Sequence, residues 1–182
     1  MELHDLYDLD RNKLNKTMMR GEKQPEGAYR IIVHICIFNS KGEMLIQQRQ
    51  PFKQGFSNMW DITVGGSAVS GDDSRMAAHR ELLEELGIDY DFSGLRPALT
   101  VNFSLGFDDM YVITEDVDLD TLKLQYEEVQ KVKWASQEEI NSLLDEGKFI
   151  PYHKSLIDLL FYMKDHEGAH TSRDTTIPKQ KQ

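Results

Sequence analysis

The chain alternates between two apolar spacings, one typical of buried strands and the other of helices packed on one side. Residues 29–39 (YRIIVHICIFN) are rich in β-branched and aromatic residues, which predicts a buried strand. Residues 39–42 are turn formers, and the segment EMLIQQRQ that follows them is expected as the return strand. The two strands are therefore predicted to form a strong hairpin.

A helix is predicted between residues 72 and 87, where apolar residues are spaced by four. Ala78, Leu82 and Leu86 lie on one face of such a helix and would anchor it to a core. Side-chain oxygens for an N-cap are offered by three consecutive residues, Asp72, Asp73 and Ser74. Gly87 supplies the C-terminal stop, because glycine adopts the left-handed conformation without steric cost.

Short apolar positions at the N-terminus predict a small hairpin ahead of the main sheet. Residues 3–9 and 14–19 are its expected arms, and the turn-forming residues 10–13 connect them. A linker over residues 21–27 then leads into the first buried strand.

The C-terminal half predicts three more strands and two helices. Two strand-like runs lie on either side of residues 106–109, and a third is centred on Val132. Ser136 opens a capping-box-like SQEE sequence before a short helix that stops near Gly147. Residues 150–163 have the apolar spacing of a last amphipathic helix.

Composition limits the size of the fold and its partners. The 182 residues suit one domain with a sizeable core. With 31 acidic against 21 basic residues, the formal net charge is -10, which argues against a nucleic-acid polymer or an anionic membrane surface as the main partner. An anionic substrate would therefore need locally placed basic side chains or a metal ion.

Cysteine content and hydropathy bear on the location of the protein. The single Cys36 excludes an intramolecular disulfide, and its apolar neighbours predict a buried strand residue. The acidic N-terminus lacks an apolar run of signal-peptide length, and no stretch approaches the roughly 18 apolar residues of a membrane span. We therefore expect a cytoplasmic protein that does not bind a membrane.

Three glutamates give the predicted helix an acidic face. Glu81, Glu84 and Glu85 are at positions i, i+3 and i+4, so their carboxylates project toward a common point. Like charges at this spacing repel one another unless a cation neutralises them. Mg²⁺ takes oxygen ligands and is commonly held by one or two carboxylates together with substrate phosphates. The alternative interpretation is a solvated acidic face, which is common on helices.

Residues 66–88 favour the metal site, because they resemble the Nudix box. This motif has a glycine, five residues, a glutamate, seven residues and then R-E-U-x-E-E-x-G-U, where U is apolar. Eight positions fall in register: Gly66, Arg80, Glu81, Leu82, Glu84, Glu85, Gly87 and Ile88. The departure is Asp72, which stands where the motif has glutamate. Because its side chain is shorter, we expect Asp72 to act as a helix cap and electrostatic partner rather than as a metal ligand.

The resemblance implies an α/β fold, the α/β/α sandwich of the Nudix family, with a mixed β-sheet and helices on both faces. It covers residues 27–165, so residues 1–26 are expected as the N-terminal hairpin and linker, and residues 166–182 as a disordered polar tail. The family typically hydrolyses a nucleoside diphosphate linked to a further moiety. We therefore expect a Mg²⁺-dependent pyrophosphohydrolase, with Mn²⁺ as the alternative ion. The expected partner is a small-molecule diphosphate, and a homodimer is an open alternative to a monomer.

Matching to the box assigns roles to individual residues. The implied metal ligands are Glu81, Glu84, Glu85 and the carbonyl oxygen of Gly65 or Gly66. Glu81 is also a candidate general base. For Arg80, a guanidinium that fixes a neighbouring carboxylate is favoured over a direct phosphate contact. Gln47 and Arg49 lie on the strand before the box and are candidates for substrate binding, with a solvent-facing position as the alternative for Arg49.

The segment NMWDITVGGSAV also looks like the corresponding part of isopentenyl-diphosphate isomerase, which shares the Nudix fold. That branch carries a catalytic cysteine and a metal-binding histidine where this chain has Gly65 and Ser67, and Cys36 lies in a different strand. The isomerase apparatus is therefore absent. The acidic element of the isomerases would fall near Asp108 and Asp109, which are candidates for substrate binding or for a second acid, with a plain turn as the alternative.

A catalytically idle, ligand-binding module is the third alternative. Loss of the box carboxylates would favour it, and all of them are present. Four histidines lack the spacing of metal ligands and are expected to be structural or exposed: His34, His79, His153 and His166.

Overall fold

Within residues 2–171, which the computed structural model describes, nine strands form two sheets and three α-helices pack beside them. Residues 172–182 of the predicted polar tail lie outside the described residues. The strands are β1 (Leu3–Tyr7), β2 (Lys13–Met19), β3 (Arg30–Phe38), β4 (Met44–Arg49), β5 (Trp60–Asp61), β6 (Val64–Ser67), β7 (Leu99–Phe103), β8 (Gly106–Thr114) and β9 (Val129–Ala135). The helices are α1 (Ser74–Leu86), α2 (Gln137–Asp145) and α3 (Lys154–Met163). Over the described part of the chain, no helix has the length and apolar character needed to cross a membrane.

The larger sheet is mixed. Its central path runs β5-β4-β3-β8-β7, with β6 paired to β3 and β9 paired to β4. β3 and β8 are parallel from Arg30↔Gly106 to Phe38↔Thr114, whereas the other pairs in this sheet are antiparallel. Parallel strands need a long connection, and here that connection contains α1. The predicted α/β architecture with a mixed sheet is confirmed.

β3 and β4 do not form the long hairpin that the sequence predicts. They share the register pair Phe38↔Met44, beyond which β4 pairs with β5 and β9. Thr63 lies where they separate: its Oγ1 accepts a hydrogen bond from Ile37 N (2.9 Å) and donates one to Leu45 O (2.5 Å). Buried backbone groups need partners, and β6 on β3, β5 on β4 and the Thr63 side chain supply those that the separating strands lose. The space between β3 and β4 beyond Phe38 and Met44 is called the fork below.

Two apolar clusters cover opposite faces of the sheet. Because side chains alternate along a strand, Val33 and Ile35 pack in the cluster that includes α1, whereas Cys36 packs in the cluster that includes α2 and α3. The predicted apolar stripe of α1 is confirmed, since three of its residues are fully buried: Ala78, Leu82 and Leu86.

α1 is capped by Asp73, and the prediction that Asp72 acts as the cap is wrong. The Asp73 side chain accepts hydrogen bonds from the backbone N–H groups two and three residues ahead, each at 2.9 Å. Asp72 is turned away from those groups, because its Oδ2 accepts a hydrogen bond from Arg80 Nε at 3.0 Å. Its expected role as an electrostatic partner is confirmed. Gly87 ends the helix in the left-handed conformation with φ 72°, as predicted.

The N-terminal hairpin packs on the loop that precedes α1. β1 and β2 pair antiparallel, and β1 ends at Tyr7, two residues earlier than predicted. Ser70 N donates to Leu3 O at 2.6 Å. Asp5 accepts hydrogen bonds from Ser70 Oγ (2.9 Å) and Gly71 N (2.8 Å). These contacts fix the backbone of the Nudix-box loop against β1.

Residues 106–109 belong to β8, so the interpretation of Asp108 and Asp109 as a plain turn is wrong. The turn between β7 and β8 is at residues 104–105. Gly106 opens β8 where a Cβ atom would overlap the carbonyl oxygen of Arg30, so glycine permits the close strand pairing. As neighbours in a strand, Asp108 and Asp109 point to opposite faces of the sheet.

Candidate active site

The three box glutamates lie on one side of α1 but differ in exposure. The Glu84 side chain is 50% exposed and that of Glu81 is 14% exposed. Glu85 is buried at 5%, because the end of α1 packs against the sheet at this point. The helical spacing alone would suggest an acidic face that is uniformly open to solvent. In the structure, only Glu84 is largely exposed.

Arg80 ties the box loop to the acidic face of α1. Its Nε donates to Asp72 at 3.0 Å, and its Nη1 donates to Glu81 (3.0 Å) and Glu84 (3.1 Å). Its Nη2 donates to the carbonyl oxygen of Ser67 at 2.9 Å. Because most of the guanidinium donors are used within the protein, this geometry supports a carboxylate-fixing role for Arg80 over a phosphate contact.

Glu85 is held from the sheet by Gln47. Gln47 Nε2 donates to Glu85 Oε2 at 2.8 Å, and both side chains are buried. Burial raises the pKa of Glu85 to about 8; the hydrogen bond from Gln47 opposes this rise, and the charges of Glu81, Glu128 and Asp61 add to it. Glu85 is therefore a carboxyl group that titrates near neutral pH, which is common in functional sites.

Two glycines in β6 allow side chains to approach from opposite sides. A Cβ atom on Gly66 would overlap the carboxyl group of Glu81. A Cβ atom on Gly65 would lie 2.6 Å from Cδ2 of His34, which is too close for any real contact. The glycine backbone of β6 is therefore a thin partition between Glu81 and His34.

The oxygen atoms around α1 and β4 fit a hard divalent cation. Burial raises the pKa of the Glu81 carboxyl group, as it does for Glu85. Gln47 Oε1 is buried and accepts no hydrogen bond from residues 2–171. Mg²⁺ and Mn²⁺ prefer oxygen ligands, and a cation would offset the repulsion between the carboxylates. Across the described residues no three acidic, histidine or cysteine side chains surround one point as they stand, since Arg80 draws Glu81 and Glu84 toward itself.

Two of the four expected substrate-binding residues lie on β4 at the fork, and a third contacts a β3 side chain. Gln47 and Arg49 lie on β4, where the Arg49 Nε donates to Gly55 O at 3.2 Å. Asp108 lies on the β8 side, with its Oδ1 2.7 Å from Nδ1 of His34. Gln47 and Arg49 therefore lie on one strand, and Asp108 is linked through His34 to the opposite side of the fork.

Asp109 lies on the other face of β8. It is fully buried, pairs with Arg11 of the N-terminal hairpin through both carboxylate oxygens, and accepts a hydrogen bond from Thr100 Oγ1 at 2.7 Å. Its contacts attach the hairpin to the sheet and leave it apart from the other candidates.

Sequence reasoning missed three polar residues that meet Asp108 in the fork. His34, Asp61 and Tyr152 form a hydrogen-bonded group with it, and the expectation that His34 is structural or exposed stays a prediction. The available signal was a charged or titratable residue inside an otherwise apolar strand segment, at His34 and at Asp61. Their meeting with Tyr152 had no signal in the local pattern.

Cys36 is not placed to replace an isomerase thiol. It is fully buried in the cluster under α2 and α3, and burial raises the pKa of its thiol. At Gly65, where the isomerases carry their cysteine, the His34 ring occupies the space that a side chain would need.

Several known proteins are similar to this chain in sequence. Nudix hydrolases of Listeria innocua and Listeria monocytogenes are each 44% identical to this chain over 170 residues, which is 93% of this chain and 99% of each relative. The isopentenyl-diphosphate Delta-isomerase of Pectobacterium atrosepticum is 28% identical over 151 residues, covering 77% of this chain and 80% of that enzyme.

Solved structures share the fold. A Deinococcus radiodurans protein matches with a TM-score of 0.71 at 23% identity, over 89% of this chain and 99% of its own. A MutT protein of Methanosarcina mazei matches with a TM-score of 0.60 at 23% identity, over 80% of this chain and all of its own. The NUDIX domain family matches residues 28–160. The chain, with its box on α1 and its mixed sheet, therefore belongs to the Nudix hydrolase family.

Proposed function

We propose that the protein is a Mg²⁺-dependent hydrolase that cleaves a diphosphate linkage in a nucleoside diphosphate derivative or a related compound, with Mn²⁺ as the alternative cation. The observation that carries this proposal is the buried Glu85 carboxyl group, which lies near the other carboxylates of α1 and beside Gln47, whose Oε1 accepts no hydrogen bond from residues 2–171. A cluster of this kind is costly for the protein alone and is stabilised by a bound cation.

The box residues have two roles: some would hold the cation, and Arg80 fixes the side chains that hold it. Glu81, Glu84, Glu85 and the Gly65 carbonyl oxygen would hold the ion. When bound, it supplies positive charge that offsets the diphosphate charge and assists attack by water. Arg80 positions the carboxylates, since it donates to both Glu81 and Glu84.

Two carboxyl groups suit the general base. Burial raises the pKa of Glu81 and of Glu85, and a base works best when its pKa is near the operating pH. Glu81 lies against Gly66, at the entrance to the box loop, and Glu85 lies deeper beside Gln47. Each can accept a proton from the attacking water at a carboxylate oxygen.

The substrate side of the site is the fork. Arg49 lies at the end of β4, and its Nη atoms donate to no residue within 2–171, so they are available to a phosphate. Gln47 lies on the same strand as Arg49, and Asp108 binds His34 on β3, at the opposite side of the fork. We assign Asp109 to hairpin attachment, because it is buried and paired with Arg11.

Neither alternative has an observation in its favour. An isomerase would need a cysteine side chain at Gly65, where the His34 ring leaves no room for one. A catalytically idle module would not need the box carboxylates, which this chain retains. A small-molecule diphosphate substrate, a cytoplasmic location and a homodimer stay expectations.

A panel of diphosphates tests the proposal. It would include nucleoside diphosphates, nucleotide sugars, ADP-ribose, dinucleotides and isopentenyl diphosphate, each assayed with Mg²⁺ and with a chelator. We expect Mg²⁺-dependent release of phosphate or nucleotide from at least one nucleoside compound and no double-bond isomer. Isomer formation, or no cation-dependent product from any compound, would contradict the proposal.

A further inference from the structure

The fork has a polar floor that the metal chemistry does not use. Four side chains from separate segments meet there: His34 on β3, Asp61 on β5, Asp108 on β8 and Tyr152 just before α3. These four residues are called the acceptor cluster below. Their wide separation in sequence means that folding alone brings them together.

Hydrogen bonds join the acceptor cluster from end to end. Asp108 Oδ1 lies 2.7 Å from Nδ1 of His34, and Nε2 of the same ring lies 3.3 Å from the Tyr152 hydroxyl. The Tyr152 hydroxyl donates to Asp61 Oδ1 at 2.9 Å, and Ile62 N donates to the same oxygen at 2.8 Å. The side chains therefore hold one another in fixed orientations, which a binding surface requires.

Each carboxylate of the acceptor cluster keeps one oxygen free. Oδ2 of Asp61 and Oδ2 of Asp108 accept no hydrogen bond from the part of the chain that the structure describes, and neither is among the fully buried polar atoms without a partner. The Asp108 side chain is 16% exposed, and Asp61 is 4% exposed. A carboxylate oxygen in this position can accept a hydrogen bond from a ligand.

The acceptor cluster is one strand away from the carboxylates of α1. Asp61 is the register partner of Gln47, and Gln47 donates to Glu85. The backbone of β6 lies between the two groups, with the His34 ring against Gly65 on one side and the Glu81 carboxyl group against Gly66 on the other. Adjacent strands are about 4.8 Å apart, so a molecule of nucleotide size is long enough to reach past this one strand to both groups. The charge of Asp61 adds to the raised pKa of Glu85.

Stability alone does not account for the acceptor cluster. Burying carboxylates and an imidazole is costly, and apolar residues of similar size commonly hold strands together at least as well. The two free oxygens would repel a phosphate. They suit a neutral hydrogen-bond donor, which is either a hydroxyl or an amino group.

We propose that the acceptor cluster binds the sugar hydroxyl groups of a nucleoside diphosphate, while the phosphates lie toward Glu81 and Glu85. The position of the phosphates rests on the proposed function. A carboxylate that accepts hydrogen bonds from ribose hydroxyls is a recurrent means of binding a nucleotide sugar. The amino group of a base is the other neutral donor, and the test separates the two.

Equilibrium binding tests this inference without turnover. Isothermal titration calorimetry with Ca²⁺ in place of Mg²⁺, under conditions where product analysis shows no hydrolysis, would compare ADP, 2′,3′-dideoxy-ADP and IDP. We expect the protein to bind ADP at least about tenfold more tightly than the dideoxy compound, because hydrogen bonds to charged groups are strong. IDP, which keeps the hydroxyls and lacks the amino group, should bind as tightly as ADP.

Asp108→Asn and Asp61→Asn probe the free oxygens directly. In each variant the amide oxygen stays toward the existing donor, so the amino group takes the place of Oδ2 and an acceptor becomes a donor. We expect ADP binding to weaken at least about tenfold and dideoxy-ADP binding to stay unchanged. Asp116→Asn is the matched control, since Asp116 accepts from Ser40 N beyond the far end of β8, and it should change neither affinity.

Thermal melts establish that the variants fold. If Asp61→Asn does not, Tyr152→Phe removes the hydroxyl that orients Asp61 without changing charge, and the same selective loss is expected. Equal weakening of ADP and dideoxy-ADP in Asp108→Asn would overturn the inference. Failure of ADP to bind would also overturn it. So would binding of ADP that is tighter than binding of IDP but no tighter than binding of dideoxy-ADP. If no compound of the hydrolysis panel is cleaved but the protein still prefers ADP over dideoxy-ADP, the proposed function is refuted and the binding inference stands.

Discussion

Gln47 on β4 and Glu85 on α1 form a buried hydrogen bond of 2.8 Å between Gln47 Nε2 and Glu85 Oε2. This contact joins the sheet to the box helix at the fork. It also leaves Gln47 Oε1 without a hydrogen bond from residues 2–171, directly beside a carboxyl group whose pKa is raised to about 8 by burial. Gln47 Oε1 therefore lacks a hydrogen-bond donor within these residues, and the buried Glu85 carboxyl group lacks a neutralising cation among them. Both lie where the proposed cation would bind.

Glu85→Gln should separate activity from stability. The change keeps the shape of the side chain and removes its charge, so we expect Mg²⁺-dependent turnover to fall at least roughly 100-fold. Above about pH 8, where Glu85 is charged, the metal-free variant should melt no lower than the unchanged protein, because a costly buried charge is gone. Glu138→Gln, at the exposed start of α2, is the control and should affect neither quantity. Undiminished turnover of Glu85→Gln at saturating Mg²⁺ would refute the metal assignment.

The stability of the metal-free protein should fall as pH rises toward about 8. The folded-state pKa of Glu85 is about 8, above the ordinary 4.5, so between these values the folded protein binds the proton that the unfolded chain has lost. This contribution is fully present below about 4.5 and is lost as pH rises through about 8. Melts in a chelator across this range would measure the slope, and Glu85→Gln should flatten it. An identical slope in the two proteins would contradict the assignment.

Asp72 and Asp73 should respond differently to substitution. Asp73→Ala removes the cap of α1 and should cost about 1 kcal/mol in urea unfolding. Asp72→Asn leaves that cap in place but weakens the hold on Arg80, so it should lower turnover with a smaller effect on stability. The reverse pattern, with stability lost in Asp72→Asn and activity lost in Asp73→Ala, would show that the structure misassigns the cap.

Arg11→Met should destabilise the protein strongly, because it leaves the buried Asp109 without its cation. The expected cost is about 3–5 kcal/mol, and Asp109→Asn in the same chain should recover part of it. Arg20→Met is the matched control in the same hairpin: Arg20 is 63% exposed and pairs with an exposed Glu2, so its loss should cost less than about 1 kcal/mol. Equal costs for the two arginines in urea unfolding would argue against a structural role for the Arg11–Asp109 pair.

Gly65→Ala should displace the His34 ring. The added Cβ atom would lie 2.6 Å from His34 Cδ2, and overpacking of this kind costs about 1–3 kcal/mol. In a His34→Ala background the added methyl group has room, so the cost should shrink. A double-mutant cycle in unfolding free energy measures the coupling. Additive effects would show that the ring does not limit the space at Gly65.

The local sequence pattern was enough to predict a helix that buries one face and that ends at a glycine. The stripe of Ala78, Leu82 and Leu86 and the glycine stop at Gly87 follow from helical geometry and from glycine's conformational freedom. The choice between Asp72 and Asp73 as the cap was not local, because the position of Arg80 decides it.

The fork shows the limit of local reasoning. The apolar strand before Asn39 and its return segment have the signals of a hairpin, and the register pair Phe38↔Met44 forms. Beyond it, β6 supplies the hydrogen-bond partners of β3 while β5 pairs with β4, and this competition between distant strands cannot be read from either segment.

The candidate site divides in the same way. The box carboxylates lie within one turn of a helix, so their spacing alone predicted their common side. The burial of Glu85 and the meeting of His34 with Tyr152 depend on contacts between residues far apart in the chain. The sequence by itself thus determined the family motif and the helix that carries it. Only the tertiary structure decided which carboxylates are buried and which polar groups line the fork, because burial and electrostatic coupling are set by the packing of distant segments.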